Sequence, residues 1–264
     1  MQAFPQLMTS ATVQYPFRTV THARSITNRT GDERLVQATD PDHTVLRWEL
    51  QFIGLERTEC ENLERLFEAC EGSLRNFTFL DPSSNLLASS DDLLSPIWVK
   101  DPLLQVTAGK NDPWGVQTAS ELANVSAADQ EIGQTLAVPA DFHYVFSVYG
   151  RSSAPGTLRL SMTGGGQPLM KSFAAGSQWA RMTLGGNLGE AGDAVRFAVQ
   201  LSPGAAIAIA GAQVESGLSP TEYKRTIGAG GVFPFTYFDQ DELEVEATVP
   251  NGYSCIVRLA SRAG

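Results

Sequence analysis

The sequence predicts a mainly β chain: a small β-sandwich or barrel domain with one α-helix, interrupted by an inserted β-sandwich. Three observations predict it. Charged residues make up only 18% of the 264, while glycine, threonine, serine and valine are plentiful, a composition suited to short strands and many turns. One stretch alone, about residues 58–71, carries strong helical periodicity. The pattern also changes character after Asp81-Pro82 and reverts near Val232.

The chain starts irregularly, with Phe4-Pro5 and Tyr15-Pro16 as extended dipeptides. Residues 1–16 read either as an arm over a neighbour or as a loop packed on its own domain. Phe17–Ile26 alternates as a strand and Asn28–Asp32 is a turn. Strands at Arg34–Ala38 and Val45–Phe52 flank a turn at Asp40-Pro41-Asp42, with His43 in that turn. Trp48, Leu50 and Phe52 alternate with Glu49 and Gln51, which places one strand face in a core; Gly54 then breaks the strand. Thr58 with Glu61 three residues on forms a capping box. Cys60, Leu63, Leu66, Phe67 and Cys70 make one helical stripe. Gly72 is the expected left-handed C′ stop, and Leu74, Phe77 and Phe79 begin a strand.

Beyond Pro82, Ser83–Ser95 reads as a polar linker. Short apolar runs follow: 103–107, 115–119, 134–138, 144–151, 157–162, 168–173, 180–184, 194–201 and 207–215, with one helical turn near Ser126–Glu131. Regular short strands without helices indicate a β-sandwich. Gly164–Gly166 and Gly185-Gly186 are the expected hairpin tips. Glu222–Gly231 is a second linker with a flexible end, Val232–Val249 is a strand pair, and Gly252–Leu259 is a closing strand with Tyr253, Cys255 and Val257 on one face. Two domains are expected: 1–82 plus 228–264, and 84–227.

The net charge of −10 argues against general nucleic-acid binding. The first ten residues have neither a basic nor an apolar targeting region, and no run is apolar enough to span a bilayer. Cys60 and Cys70 stand about 15 Å apart along a helix, too far for a bridge. The three cysteines are expected to be reduced and buried, which fits synthesis in a reducing cytosol.

Phe4-Pro5-Gln6-Leu7, Tyr15-Pro16-Phe17-Arg18-Thr19, and then Trp48, Leu50, Glu59, Leu63, Phe67, Gly72, Phe77, Phe79, Asp81 and Pro82, with Asp241-Glu242-Leu243 near the end, resemble the distal tail and minor tail proteins of tailed bacteriophages. The simple family pattern closes soon after the Asp-Pro, so residues 84–227 are a departure from it. That insertion has its own resemblance. Asn85, Asp112–Ala119, Phe146–Ser152 and Ile209–Thr226, with the ending Ala212-Gln213-Val214-Glu215…Pro220-Thr221…Tyr223, are similar to jelly-roll modules of the carbohydrate-binding type, which recur in phage tail and fibre proteins.

The resemblances imply a virion tail protein forming a ring or adaptor at the distal tail end. A hexamer is favoured and a trimer remains open. Tail tube, hub and receptor-binding or fibre proteins are the implied partners, and the jelly roll would project outward. The alternative is a glycan-binding adhesion module, for which Trp114, Trp98 and Tyr149 are the candidate residues; Trp179 reads as core. No enzyme, metal site or cofactor is expected. His22, His43 and His143 show no zinc spacing. Glu242, Glu244 and Glu246 read as one solvated strand face, with an acidic face between subunits as the competitor. Asp91, Asp92 and Asp101 lack the paired setting of glycosidase carboxylates.

Overall fold

A computed structural model describes residues 1–262, apart from the side chains of 39–43. In chain order, β1 (Phe17–Arg29) and β2 (Leu35–Leu55) lead into α1 (Arg57–Ala69) and β3 (Phe77–Leu80). Ten strands follow: β4 (Val99–Lys100), β5 (Leu104–Lys110), β6 (Ala119–Asn124), β7 (Gln130–Leu136), β8 (Tyr144–Arg151), β9 (Gly156–Thr163), β10 (Leu169–Ala175), β11 (Ala180–Gly186), β12 (Val195–Leu201) and β13 (Ala206–Ser216). The chain ends on β14 (Val232–Phe238), β15 (Val245–Val249) and β16 (Gly252–Arg262). It divides into two units. A helix-bearing unit holds Gln2–Met8, Val13–Phe79 and the chain from Phe233; a sandwich unit holds Met1, Thr9–Thr12 and Leu80–Val232.

The helix-bearing unit is one sheet in the order β1-β2-β16-β14-β3, with β15 also on β16. Trp48, Leu50 and Phe52 are buried at 1% exposure or less, as their alternation demands. Gly54 does not end the strand. It adopts φ +71 where the register slips between Tyr253↔Leu55 and Cys255↔Phe52. Ile53 and Gly54 together oppose one residue, which is a β-bulge, and the extra residue returns Leu55 to the core at 0% exposure. The two strands expected on either side of Asp40-Pro41-Asp42 are the two ends of β2; the side chains there, His43 included, lie outside the described residues.

The helix starts earlier than its Thr58–Glu61 signature suggests. Glu56 is the N-cap, its carbonyl accepts the Cys60 N–H, and Glu59 Oε2 accepts the Glu56 N–H at 2.8 Å. Glu59 Oε1 also takes the Met8 N–H. That second bond ties the N-terminal segment to the helix and favours Glu59 over Glu61. Cys60, Leu63, Leu66 and Cys70 are buried, and the last three join Trp48 and Leu50 in one core. At the far end Glu71, with φ +52, occupies the left-handed C′ position expected for Gly72. Glu71 N–H reaches Glu68 O and Gly72 N–H reaches Phe67 O, the paired bonds of a Schellman ending.

Within the helix-bearing unit, Phe4 is 1% and Val13 3% exposed, while Thr78 donates to Gln2 O and Phe4 donates to Thr78 O. Residues 2–4 thus run along the edge of β3, as the alternative of a loop packed on its own domain expects. The opposite edge, β1, pairs among the described residues only with β2, and every residue from Thr21 to Arg29 is exposed.

The sandwich unit stacks sheet β10-β9-β12-β7-β4 against sheet β11-β8-β13-β6-β5, both antiparallel. Tyr144, Phe146 and Val148 of β8 meet Leu158 and Leu160 of β9 and Phe197 of β12 in its core. Several details differ from expectation. Gly115–Thr118 is loop before β6, and Ser126–Glu131 is a turn running into β7, where Asn124 Nδ2 donates to Ala128 O. Gly185-Gly186 is no hairpin tip, because β11 pairs with β8 while β12 lies in the other sheet. β14 and β15 do not pair with each other; both line β16.

The two expected linkers are structural parts of the sandwich unit. Asn85 is fully buried; its Nδ2 donates to Ala212 O and Lys224 O, and its Oδ1 accepts from Leu87 and Val214. Leu86, Leu87 and Leu93 enter the core. Ser89 N–H meets Gly228 O, Gly231 N–H meets Asn85 O, and Asp81 N–H meets Gly231 O. A Cβ on Gly230 would sit 2.2 Å from Leu86 O, so these glycines serve close approach rather than looseness.

Candidate functional site

The outer face of sheet β11-β8-β13-β6-β5 carries an aromatic cluster. Strand alternation sends Phe146 and Val148 inward and Ser147, Tyr149 and Arg151 outward. Tyr149 lies opposite Arg181 on β11 and Ala210 on β13. The β13 register slips between Ala210 and Gln213, and Gly211 takes φ +60 there. A Cβ on Gly211 would stand 2.8 Å from Trp114 Cη2, 3.1 Å from Tyr149 Cδ2 and 3.4 Å from Tyr223 Cγ. Three aromatic rings thus converge over one glycine at a bulge.

Each ring is positioned by polar groups that grip backbone. Asp112, 6% exposed, accepts from Trp114 N and Val116 N on Oδ1 and from Thr118 Oγ1 on Oδ2, at 2.7–2.8 Å. Burial pushes its carboxyl up, but the hydrogen bonds from Thr118 and the loop N–H groups outweigh this and hold it below its ordinary value. This loop presents Trp114 with 49% of its surface exposed. The indole stacks on Tyr223 at 5.1 Å and 18°, and meets Tyr149 at 5.2 Å and 71°, arrangements typical of favourable aromatic pairs.

Tyr223 comes from the segment after β13, which lies across the sheet. Lys224 N–H donates to Gln213 Oε1 at 2.6 Å. Glu215 accepts from Gln213, Thr221 and Lys224. Burial raises the Glu215 carboxyl and these donors more than offset it, leaving it below its ordinary value. Tyr223 shares a 2.7 Å hydrogen bond with Ser90, and burial pushes its phenol up to about 12. The Gln213, Glu215, Thr221 and Tyr223 of the sequence ending are therefore the parts of one clasp. Tyr223 was not among the candidates read from sequence, although that ending contains it.

Of the three candidates, Trp114 and Tyr149 come together and Trp98 does not. Trp98 is 4% exposed and donates Nε1 to Ser89 O at 3.0 Å, so it is a core residue. Trp179, expected in the core, is half-buried beneath Arg151, whose guanidinium lies 4.8 Å from the ring centre. Arg181 lies 5.5 Å over Tyr149 in the same way.

The remaining polar residues serve structure. Asp91 pairs with Arg225 at 2.6 Å, and Asp101 accepts the Glu131 N–H. His143 meets Gly217 O and His22 meets Arg47. Strand β15 starts only at Val245, so Glu242 and Glu244 precede it and do not share a strand face with Glu246. Gln240 there bonds Ile256 O and Arg258 N–H, filling the gap that β14 and β15 leave along β16. Among the described residues no three His, Cys, Asp or Glu are grouped to hold a metal ion, and no helix is long and apolar enough to cross a membrane.

No protein-family model and no curated protein sequence matches this chain. Among solved structures, it is similar to the tailspike protein 4 enzymatically active domain of bacteriophage CBA120, with 12% identity and a TM-score of 0.41 over 52% of this chain and 22% of that one. It is similar to the C-terminal family 22 carbohydrate-binding module of Clostridium thermocellum Xyn10B, with 14% identity and a TM-score of 0.42 over 54% of this chain and 99% of that one. It is also similar to the xylan-binding domain of Paenibacillus barcinonensis Xyn10C, with 12% identity and a TM-score of 0.41 over 52% of this chain and 94% of that one.

Proposed function

We propose that this protein is a non-enzymatic component of a bacteriophage tail whose sandwich unit, an insertion in the helix-bearing unit, contacts host-surface glycan. The observation that carries the glycan reading is Trp114: a large indole, half exposed, fixed from below by a buried aspartate and two tyrosines. A pre-set aromatic surface loses little conformational freedom when a ligand stacks on it. Weak sites repeated on an assembly would gain by multivalency. The test is a glycan array probed with the full chain and with Trp114→Ala. Binding by the parent and not by the variant supports the reading; equal signals from both refute it.

The second reading, a ring or adaptor at the distal tail end, rests on the β1–β2 hairpin. Its outer strand β1 has an open edge and is exposed throughout its distal part, with Ile26 of β1 at 43% and Leu35 and Val36 of β2 at 55% and 51% exposure. A lone two-stranded hairpin is marginally stable, and a bare edge invites pairing with another chain. Assembly with copies of itself, as a hexamer by the family resemblance, or with tube and hub subunits would cover it. Negative-stain images of the purified chain test this. Closed rings support an assembly role; dispersed monomers at high concentration count against it.

A further inference from the structure

Resting on the glycan reading, we infer that the ligand is an anionic glycan, held by Arg151 and Arg181 beside the aromatic cluster. The two arginines and two aromatics form a checkerboard on adjoining strands. Arg181 of β11 sits opposite Tyr149 of β8 and stacks on its ring. Arg151, two residues along β8, stacks on Trp179, two residues before Arg181. Residues two apart on a strand share a face at a spacing of about 7 Å, so both guanidiniums stand on the face that presents Trp114.

Their charges are not consumed locally. Among the described residues, neither arginine has a carboxylate partner. Arg181 donates to Ser147 Oγ and Thr221 O; Arg151 donates to Asn111 O. Of the neighbouring carboxylates, Glu121 is taken by Lys110, Glu215 by Lys224, Asp91 by Arg225 and Asp112 by its own loop, while Glu222, exposed beside Thr221, forms an ion pair with neither arginine. In a chain of net charge −10 this leaves two cations side by side. Both are held over aromatic rings with donors to spare. A guanidinium is the group suited to bidentate recognition of a carboxylate or a phosphate. A sugar ring stacked on Trp114 that bears either group would satisfy both features.

Affinity electrophoresis of the full chain through polygalacturonate, ribitol-phosphate teichoic acid and neutral xylan tests this. The parent is expected to bind one of the charged polymers at least about tenfold more tightly than xylan, the step expected of a charge-assisted contact. Retardation by the uronate polymer assigns a carboxylate and retardation by the phosphate polymer assigns a phosphate; either supports the inference. Arg151→Gln, which loses one backbone hydrogen bond, is expected to lose that preference while keeping the parent's melting temperature. Arg181→Gln repeats the test from the other guanidinium. Equal binding of charged and neutral polymers, or an unchanged preference in Arg151→Gln while Trp114→Ala loses all binding, overturns the anionic ligand and leaves the glycan reading standing. Absence of binding to every polymer by parent and variants alike overturns both.

Discussion

The helix-bearing unit buries Phe4, Trp48, Phe52, Phe77, Phe79 and Phe238 at 2% exposure or less. The sandwich unit instead divides its aromatics, with Tyr144, Phe146 and Phe197 inside and Trp114, Tyr149 and Tyr223 gathered on an outer face. The first arrangement follows from strand and helix periodicity, because burial of apolar area is its cause. The second is built against that tendency. It needs a glycine at a bulge, a buried aspartate, and a clasp of Gln213 and Glu215 to hold three separate segments together. The buried aromatics of both units supply stability; the outer cluster of the sandwich unit is kept partly exposed at the expense of several buried polar groups.

The largest expected effect tests that division directly. Trp48→Ala should lower stability by about 3–5 kcal/mol, as for large aromatic truncations in a core, whereas Trp114→Ala should cost about 1 kcal/mol, the scale of one aromatic pair. Denaturant titrations of both variants measure it, and similar losses would dissolve the contrast. Next, Gly211→Ala should destabilise by about 2 kcal/mol, because its left-handed backbone is unfavourable for an L side chain and its Cβ would press on Trp114. Tryptophan fluorescence should shift with it, reporting displacement of the ring. A parental spectrum and melt would remove Gly211 from the site.

Glu71→Gly should act in the other unit and in the opposite direction, raising stability by about 1 kcal/mol by relieving a left-handed glutamate. Its ion pair with Arg75 is exposed and contributes little. A fall in melting temperature would contradict the Schellman ending. Acid offers a milder probe. Asp112 and Glu215 are both held below their ordinary values when folded. Their stabilisation is therefore fully present above the unfolded carboxyl range and is lost as pH falls through the lower folded values. Melting curves from pH 6 downward should show the loss beginning near about pH 4, where free carboxyls titrate. Asp112→Asn should flatten part of it.

What could be read from the residues in advance follows the same division. The β2 alternation and the Cys60–Cys70 stripe are local and were legible. So was the presence of many short strands. The bulge at Gly54 was not, because a glycine that ends a strand and one that bulges it look alike until the partner strand, here some two hundred residues on, is aligned with it. The polar run from Ser83 read as linker because polar residues usually face water. Asn85, however, spends its side chain on the backbone of Leu87 and of the distant Ala212, Val214 and Lys224. Trp114 and Tyr149 were nameable as exposed-aromatic candidates. Tyr223 needed the clasp to be seen, and Trp98 needed its burial.

The hydrogen bonds joining Asp81, Asn85 and Gly231 give the sandwich unit a further property. Its two ends meet at a single stitched point, which is the geometry a replaceable cassette requires. A different domain with adjacent termini, or a short turn, can replace residues 82–230 while asking of the surrounding chain only that it close the same small gap. The unit could then be exchanged while the remainder of the gene is left unaltered.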